Sequence, residues 1–284
     1  MSTWVWVDGA ARPAGEATVR ALDHGVTVGD GVFETAKVLD GTPFALTRHL
    51  ARLRRSADRL TLALPWSDDD LRAACADAIG AAAADPANDA DGVGRIRITV
   101  TGGPGPLGSD RSDVPPTLIV AAGPGGTWPP SAPVATVAWT RNERSAVAGA
   151  KTTSYAENVV ALADAHRRGA DEAIFANTVG ALCEGTGSNV FLEVDGRLCT
   201  PSLATGCLAG ITRELVMEVV DVVERDDLTL DHLRSTAEAF LTSSTRDVQP
   251  IARVDGVALA LVPGPLTSAA SEAFARLVAD GLDP

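Results

Sequence analysis

Lysine is rare in this chain, and one of its two lysines precedes the only tyrosine. Lys151 stands four residues before Tyr155, whereas arginine is abundant. Arginine stays protonated in proteins, but a buried lysine amine can lose its proton and attack a carbonyl carbon. Lys151 is therefore a candidate for covalent chemistry. The alternative is that arginine has simply replaced lysine on the surface. Lys37 is interpreted as a surface residue, because no comparable motif surrounds it.

Three other segments carry groups that complement such a lysine. Residues 184–189 begin with the carboxylate of Glu184, and residues 206–213 lead into a predicted helix whose N–H groups suit a phosphate. Residues 242–245 form a hydroxyl cluster at a predicted strand end. A Schiff-base lysine, an acid for a pyridinium nitrogen and a phosphate site are what pyridoxal phosphate (PLP) requires. On the residues alone, unrelated loop positions remain an alternative.

Other motifs in the sequence favour structural roles over catalysis or metal binding. Residues 103–108 fit G-x-G-x-x-G, but a polar, proline-ended segment follows where a dinucleotide site needs a helix. The histidines show no metal-ligand spacing, and the cysteines show no C-x-x-C spacing and are interpreted as reduced, buried thiols. These residues are His24, His49, His166 and His232, and Cys75, Cys183, Cys199 and Cys207. No metal site is predicted.

The composition narrows the class of protein. A chain of 284 residues with 45% apolar residues can bury a sizeable core, in one large domain or two packed ones. The net charge of −13 argues against nucleic-acid binding. No apolar run approaches the ~18 residues of a membrane span, and no secretion signal is apparent. The expected location is the cytoplasm.

Hydrophobic periodicity and turn signals predict a mixed α/β (α+β) fold in two domains. Predicted strands cover residues 4–7, 32–39, 43–46, 95–101, 117–122, 134–139, 172–176, 189–194, 197–200, 239–242, 248–254 and 257–261. Predicted helices cover residues 48–62, 67–84, 212–223, 231–234 and 266–280, and another, capped by Ser154 and Glu157, runs to residue 168. The predicted domains are residues 1–122 (small) and 134–284 (larger), joined by a linker over residues 123–133.

Several ordered motifs resemble the class IV, or fold-type IV, PLP-dependent enzymes. This family contains branched-chain aminotransferases, D-amino-acid aminotransferases and 4-amino-4-deoxychorismate lyases. The matching segments are residues 29–35, 49–53, 151–158, 184–191, 208–213 and 242–250, and they span nearly the whole chain. The resemblance implies a D-amino-acid aminotransferase-like fold, a PLP-binding larger domain and a homodimer acting on a small molecule.

The resemblance also implies roles for individual residues. Lys151 matches the lysine that binds PLP covalently, and Glu184 matches the acid that keeps the pyridine nitrogen protonated. The matches to phosphate-binding groups are Arg52, the backbone of Ile211 and Thr212, and Ser244. The family tyrosine that contacts the cofactor stands at the position of Ala156, so Tyr155 is displaced by one residue. Its role is either cofactor contact or packing at a helix start.

The reaction is the least determined part of the resemblance. The arginine that binds the substrate carboxylate in D-amino-acid aminotransferases is replaced by Gly102, and the glycine-rich residues 102–108 are expected to leave room for a bulkier substrate. Residues 33–36, with Phe33 and Thr35, resemble the lyase segment. Arg95 and Arg97 share one face of their strand, and either one could meet a carboxylate or both could lie on its solvated side. The prediction is 4-amino-4-deoxychorismate lyase, which releases 4-aminobenzoate and pyruvate in folate biosynthesis. The alternatives are an aminotransferase for D-amino or branched-chain L-amino acids, or a non-catalytic small-molecule-binding relative.

Overall fold

The computed structural model describes residues 2–88 and 92–284, so Met1 and residues 89–91 of the predicted first domain lie outside the described residues. The chain forms two compact units. The first unit contains the residues up to Thr127 together with Ala150–Tyr155 and Leu282–Pro284, and the second contains Trp128–Gly149 and Ala156–Gly281. The segment that carries Lys151 thus clusters with the first unit. The mixed α/β prediction is confirmed.

The first unit is built on a six-stranded antiparallel sheet. Its elements are β1 (Trp4–Val7), β2 (Ala10–Pro13), α1 (His24–Thr27), β3 (Gly31–Leu39), β4 (Thr42–Pro43), α2 (Leu46–Arg59), α3 (Asp68–Ala83), β5 (Arg95–Thr101) and β6 (Thr117–Gly123). The strand order is β2-β1-β6-β5-β3-β4. The β3–β4 turn has positive φ at Asp40 (48°) and Gly41 (75°), as a two-residue hairpin requires.

Alternation along the strands separates the two faces of this sheet. The even-numbered residues of β3, including Val32 and Ala36, join the core with Leu50 and Leu53 of α2. The odd-numbered residues, Phe33 among them, point to the opposite face. The sequence of β5 follows the same rule, so one face of the sheet is an apolar core under α2 and α3 and the other carries polar and aromatic side chains.

The chain's last three residues belong to the first unit and bind the start of α2. No side chain of the described residues caps α2 at Ala45, whose φ is 54°. Instead, the Ala45 N–H donates to the Leu282 carbonyl at 2.6 Å. Asp283 accepts hydrogen bonds from the N–H and hydroxyl of Thr47 at 2.8 and 2.6 Å. The tail thereby supplies the carboxylate that a helix N-terminus favours.

The second unit contains a nine-stranded mixed sheet. Its elements are β7 (Ala132–Arg141), α4 (Ala156–Arg167), β8 (Glu172–Asn177), β9 (Leu182–Gly185), β10 (Asn189–Val194), β11 (Arg197–Pro201), a 3₁₀ turn (Leu203–Thr205), α5 (Ile211–Val219), β12 (Val223–Arg225), α6 (Leu230–Ser235), β13 (Ala239–Ser243), β14 (Asp247–Val254), β15 (Val257–Ala258) and α7 (Pro265–Asp280). The order is β12-β11-β10-β13-β14-β7-β8-β9, with β15 on β14.

Some predicted elements were wrong in extent or type. The helix expected over residues 212–223 ends at Val219, because Val220 is extended and β12 follows. The strands expected over residues 43–46 and 257–261 are two residues each, and α1, β2 and β9 were not predicted. Helix α4 begins at Ala156, and the Ser154 hydroxyl donates to the Gly29 carbonyl at 2.9 Å, so Ser154 does not start the helix as expected. In the described ranges, no helix is long and apolar enough to cross a membrane.

Candidate functional site

The Lys151 segment is fixed beside the start of β3 in the first unit. The Phe33 N–H donates to the Lys151 carbonyl at 3.0 Å, and the Thr153 N–H donates to the Gly31 carbonyl at 2.8 Å. The Lys151 N–H donates to Ser56 Oγ of α2 at 3.1 Å. These bonds fix the backbone of Lys151 on both sides, so the position of its Cα is fixed.

Two aromatic rings surround the Lys151 amine. Nζ lies 4.4 Å from the Phe33 ring centroid and 5.9 Å from that of Tyr155. The two rings meet edge to face, with centroids 5.3 Å apart. The Arg97 guanidinium lies 3.7 Å from the Phe33 centroid. The structure therefore brings four of the predicted residues together, and the ring of Tyr155 is near the amine despite its shift of one position.

The polar face of the sheet continues with Thr35 and Arg95. Thr35 pairs with Arg97 across β3 and β5, and Lys37 pairs with Arg95. Partial burial lowers the pKa of Arg97; the phenol of Tyr155 opposes this effect and the charge of Arg95 adds to it. Lys37 places its amine 4.7 Å above the Phe44 ring. The guanidinium groups of Arg95 and Arg97 on this face suit a substrate carboxylate.

Arg52 is held in a buried ion pair on the other side of the sheet. Its Nε and Nη2 donate to the two carboxylate oxygens of Glu34, each at 2.7 Å, and His49 Nδ1 lies 2.7 Å from Glu34 Oε2. Burial raises the pKa of Glu34, but the charge and hydrogen bonds of Arg52, with those of His49, outweigh it and hold the pKa well below the usual value. Glu34 therefore fixes the plane of the guanidinium for which phosphate binding was predicted.

Three glycines of the loop that is expected to leave room for a larger substrate pack closely against the chain's own atoms. A Cβ on Gly102 would lie 2.3 Å from Asp30 Oδ2, and one on Gly105 would lie 2.4 Å from His24 Nε2. Gly103 has a φ of 75° and packs against the Pro115 carbonyl. Arg111 then ties the loop to Asp30 through a bidentate pair at 2.6 and 2.7 Å. The chain's own atoms therefore leave no room for a side chain at Gly102, Gly103 or Gly105, whereas a Cβ on Gly108 would meet open space.

Glu184 lies at the end of β9 in the second unit, and its carboxylate is partly open. Oε2 accepts a hydrogen bond from the Leu208 N–H at 2.9 Å, and Arg141 Nε lies 3.2 Å from Oε1. Arg141 is held in turn by Asn158 Oδ1 at 2.9 Å and by the Phe175 ring. The Glu184 side chain is 14% exposed, so the carboxylate is oriented but not enclosed.

The start of α5 and the end of β13 form an anion-binding arrangement. Gly210 begins α5 without a side-chain cap from the described residues, which leaves Ile211 and Thr212 at an uncapped helix N-terminus. The Asn189 amide donates to the Leu208 carbonyl at 2.9 Å, and Asn189 pairs with Thr242 of β13. Thr242 Oγ1 is buried and has no hydrogen-bond partner among the described residues. This unpartnered hydroxyl fits a phosphate oxygen, the group that PLP would bring.

Ser244 lies in the turn between β13 and β14, two residues beyond Thr242. The predicted cofactor residues are thus divided: Lys151, Tyr155 and Arg52 belong to the first unit, and the others belong to the second.

The cysteines offer no nucleophile for this chemistry. Burial raises the pKa of Cys207 to about 11 and that of Cys75 to about 12. Cys183 shifts in the same direction for the same reason. No cluster of three or more His, Cys, Asp or Glu side chains suited to a metal occurs within residues 2–88 and 92–284.

Comparison with known proteins identifies the family. The family model described as amino-transferase class IV matches residues 31–254. The chain is a class IV aminotransferase family member. A putative branched-chain-amino-acid aminotransferase of Methanocaldococcus jannaschii is 32% identical, with 89% of this chain and 88% of the relative covered. The aminodeoxychorismate lyase of Bacillus subtilis is 28% identical over 93% of this chain and 91% of the relative.

The solved structures agree with this family. The branched-chain aminotransferase of Thermoproteus uzoniensis, crystallised with norvaline, has a TM-score of 0.86 and 29% identity. The match covers 98% of this chain and 95% of that structure. The fold-type IV prediction is confirmed. PLP is the cofactor of the family, and the predicted cofactor is confirmed.

Several residues of this class IV enzyme escaped the sequence interpretation. Arg141 stands at the end of a strand and resembles a surface arginine in the sequence. Glu34 gave a usable signal, because it occupies a core-facing position of β3 between Val32 and Ala36 and therefore needs a buried partner. Glu172 and Arg246, which pair at 3.0 Å, are too far apart in the sequence to be recognised as partners.

Proposed function

We propose that this class IV enzyme is a PLP-dependent aminotransferase that moves the amino group of an apolar L-amino acid to a 2-oxo acid. The observation that carries the proposal is the Lys151 amine beside the Phe33 ring, with the Arg97 guanidinium over the same ring. Gly102 replaces the arginine for a D-amino-acid carboxylate, and a Cβ there would lie 2.3 Å from Asp30 Oδ2, so the position has no room for a side chain. The branched-chain relatives support the same substrate class.

The chain's own residues supply binding and proton transfer. Lys151 would hold the cofactor through its side-chain amine, and the same Nζ would move the substrate α-proton once it is released. The Glu184 carboxylate would accept the hydrogen bond of a protonated ring nitrogen, and Tyr155 would lie beside Lys151. Arg52, the N–H groups of Ile211 and Thr212, and the Ser244 hydroxyl would bind the phosphate. When bound, PLP provides the electron sink for the α-carbon.

The sheet face around Lys151 binds the substrate in this proposal. Phe33 forms an apolar wall next to the Lys151 amine, which suits an aliphatic side chain. Arg97 binds the carboxylate, while Thr35 and Arg95 flank it on the same face. The homodimer and the cytoplasmic location implied by the family resemblance stay predictions, and the mass of the holoenzyme by light scattering tests the first.

The two lysines make a direct test of the covalent bond possible. Borohydride reduction of the holoenzyme followed by peptide mapping is expected to label Lys151 and to leave Lys37 unlabelled. Lys151→Ala is expected to abolish turnover. Lys37 has no assigned role, so Lys37→Ala is expected to keep it. A label on Lys37 contradicts the proposal.

Substrate assays decide the reaction. The holoenzyme is expected to convert L-leucine and 2-oxoglutarate to glutamate faster than it converts D-alanine. Aminodeoxychorismate supplied without a 2-oxo acid is expected to give no 4-aminobenzoate. Formation of 4-aminobenzoate without leucine turnover would reject the aminotransferase in favour of the lyase.

The lyase remains the second candidate because of Thr35. This threonine lies opposite Arg97 on the substrate-facing side of the sheet, within the segment that resembles the lyases. The Bacillus subtilis relative supports the same activity. Thr35→Val separates the two functions, since a lyase is expected to lose 4-aminobenzoate formation while an aminotransferase keeps leucine turnover.

A further inference from the structure

A buried ion pair in the second unit joins two segments that the proposed function assigns to the cofactor. Arg246 Nη2 lies 3.0 Å from Glu172 Oε2, with the two side chains 8% and 1% exposed. Glu172 begins β8, and Arg246 lies in the β13–β14 turn that carries Ser244. Buried ion pairs give little net stability, because desolvation offsets their attraction. Their fixed geometry, however, can position whatever is attached to them.

On one side, Glu172 organises the loop that follows Glu184. Oε1 accepts hydrogen bonds from the Thr186 N–H, at 2.9 Å, and from the Thr186 hydroxyl. The Ser188 hydroxyl donates to Oε2 at 3.2 Å. Gly185 has no room for a Cβ, which would lie 2.4 Å from Ser188 Oγ. The loop is therefore wrapped tightly around the Glu172 carboxylate.

The same loop connects back to Glu184 itself. The Asn158 side-chain amide donates to the Thr186 carbonyl at 2.7 Å, and its oxygen accepts from Arg141 at 2.9 Å. Arg141 Nε then reaches Glu184 at 3.2 Å. A continuous series of polar contacts thus runs from Glu172 to Glu184.

On the other side, Arg246 organises the hydroxyl-rich turn. Its backbone N–H donates to Ser243 Oγ at 3.3 Å, and its Nη1 donates to Gln249 Oε1 at 3.1 Å. The guanidinium lies 4.1 Å from the Trp128 ring centroid. The Gln249 amide in turn donates to the Pro129 carbonyl at 2.8 Å. The arginine is therefore fixed on every side that the structure describes.

We infer that Glu172 and Arg246 are positioning residues that set the spacing between the Glu184 loop and the Ser244 turn, and thereby the affinity for PLP. Neither touches the reacting atoms. The inference rests on the proposed assignment of Glu184 and Ser244 to the cofactor. It is independent of which amino acid the enzyme uses, because PLP affinity is measured without substrate.

The test measures PLP binding to the apoenzyme, with fluorescence quenching as the readout. Arg246→Met is expected to raise the PLP dissociation constant by about 10- to 100-fold, by analogy with the loss of groups that orient the ligands of a bound metal. Arg246→Lys keeps the charge but loses the planar fork, so it is expected to recover part of the affinity. The visible circular dichroism of bound PLP is expected to change with the affinity, since it reports the orientation of the ring.

A matched control separates positioning from general stability. Arg234 lies in the same unit and contacts Asp255 at 3.0 Å and Thr136 Oγ1 at 2.7 Å, away from the proposed cofactor residues. Arg234→Met is expected to lower the melting temperature of the apoenzyme but to change PLP affinity by less than about twofold, because distant sites act independently. Equal effects of Arg234→Met and Arg246→Met on PLP affinity would overturn the inference.

Two further variants keep the test decisive. If Arg246→Met does not fold because it leaves Glu172 charged and unpaired, the double variant Glu172→Gln/Arg246→Met removes both charges and is expected to show the same loss of affinity. Wild-type affinity in the folded double variant rejects the inference. Ser244→Ala tests the assignment of Ser244 to the cofactor phosphate. Wild-type PLP affinity in the Ser244→Ala protein contradicts that assignment and leaves the ion-pair inference without its basis.

Discussion

The two units each contain a glutamate paired with an arginine, and the two pairs differ in how completely the carboxylate is enclosed. Glu34 is 1% exposed and both of its oxygens accept hydrogen bonds from Arg52, with His49 as a further partner. Glu184 accepts the Leu208 N–H and lies beside Arg141, and its side chain is 14% exposed, so it is less enclosed than Glu34. A fully satisfied carboxylate holds structure together, whereas an oriented but incompletely enclosed one is available to a ligand.

Removing the charge of the enclosed glutamate should have the largest effect. Glu34→Gln leaves the Arg52 guanidinium buried without a counter-charge, and loss of one partner of such a pair costs about 3–5 kcal/mol of unfolding free energy. Urea unfolding of the apoenzyme measures this. A loss no greater than that of an exposed glutamate, such as Glu272→Gln, would remove the distinction between the pairs.

The corresponding change in the open pair should affect activity instead of stability. Glu184→Gln removes the charge that the proposed function places at the cofactor ring, and kcat is expected to fall about 100-fold, as when one preorganised electrostatic group is lost. The free energy of unfolding of the apoenzyme should change by less than about 1 kcal/mol, because the carboxylate is partly solvated. If Glu184→Gln unfolds as readily as Glu34→Gln, both carboxylates are structural.

The backbone donor to Glu184 offers a more subtle perturbation. A Cβ on Gly210 would lie 2.0 Å from Asn189 Oδ1, so Gly210→Ala must displace the Asn189 side chain, whose amide binds the Leu208 carbonyl. We expect a loss of about 1–3 kcal/mol in unfolding free energy from this overpacking, together with weaker PLP binding. Gly256→Ala is a control with open space but strained φ, and it should leave PLP binding unchanged.

The smallest effect concerns pH. The folded-state pKa of Glu34 lies below its ordinary value of 4.5, so its contribution to stability is complete above that pH and is lost as the pH falls further. Urea unfolding at pH 3 to 7 should therefore show a steeper acid loss in the wild type than in Glu34→Gln. Parallel curves of unfolding free energy against pH would mean that the Glu34 carboxylate contributes nothing to the pH dependence of stability.

The sequence predicted elements whose signals were local. Asp40-Gly41 specified the first hairpin, and Ser67 with three following aspartates specified the start of α3. The run of valines after Met217 allowed the helix interpretation to continue too far, since a short apolar run fits a helix or a strand equally well. The four-residue β9 gave no alternation by which it could be recognised.

Sequence could predict the site residues that a single residue type identifies. It could not predict pairs whose members lie far apart in the sequence. Lys151 and Glu184 stood out by chemistry and motif. The pairing of Glu172 with Arg246 depends on β-sheet order, which brings together residues 74 positions apart in sequence. Gly102 shows a further reason: a sequence does not reveal whether a missing side chain leaves space or makes way for a neighbour such as Asp30.

The chain's final residues have a practical consequence for handling this enzyme. Helix α2, which carries His49 and Arg52, obtains the acceptors for its first N–H groups from Leu282 and Asp283. Trimming those residues during cloning, or fusing a bulky purification tag directly behind them, would fray the helix that carries Arg52, the proposed phosphate ligand. Affinity handles are better attached at the opposite terminus.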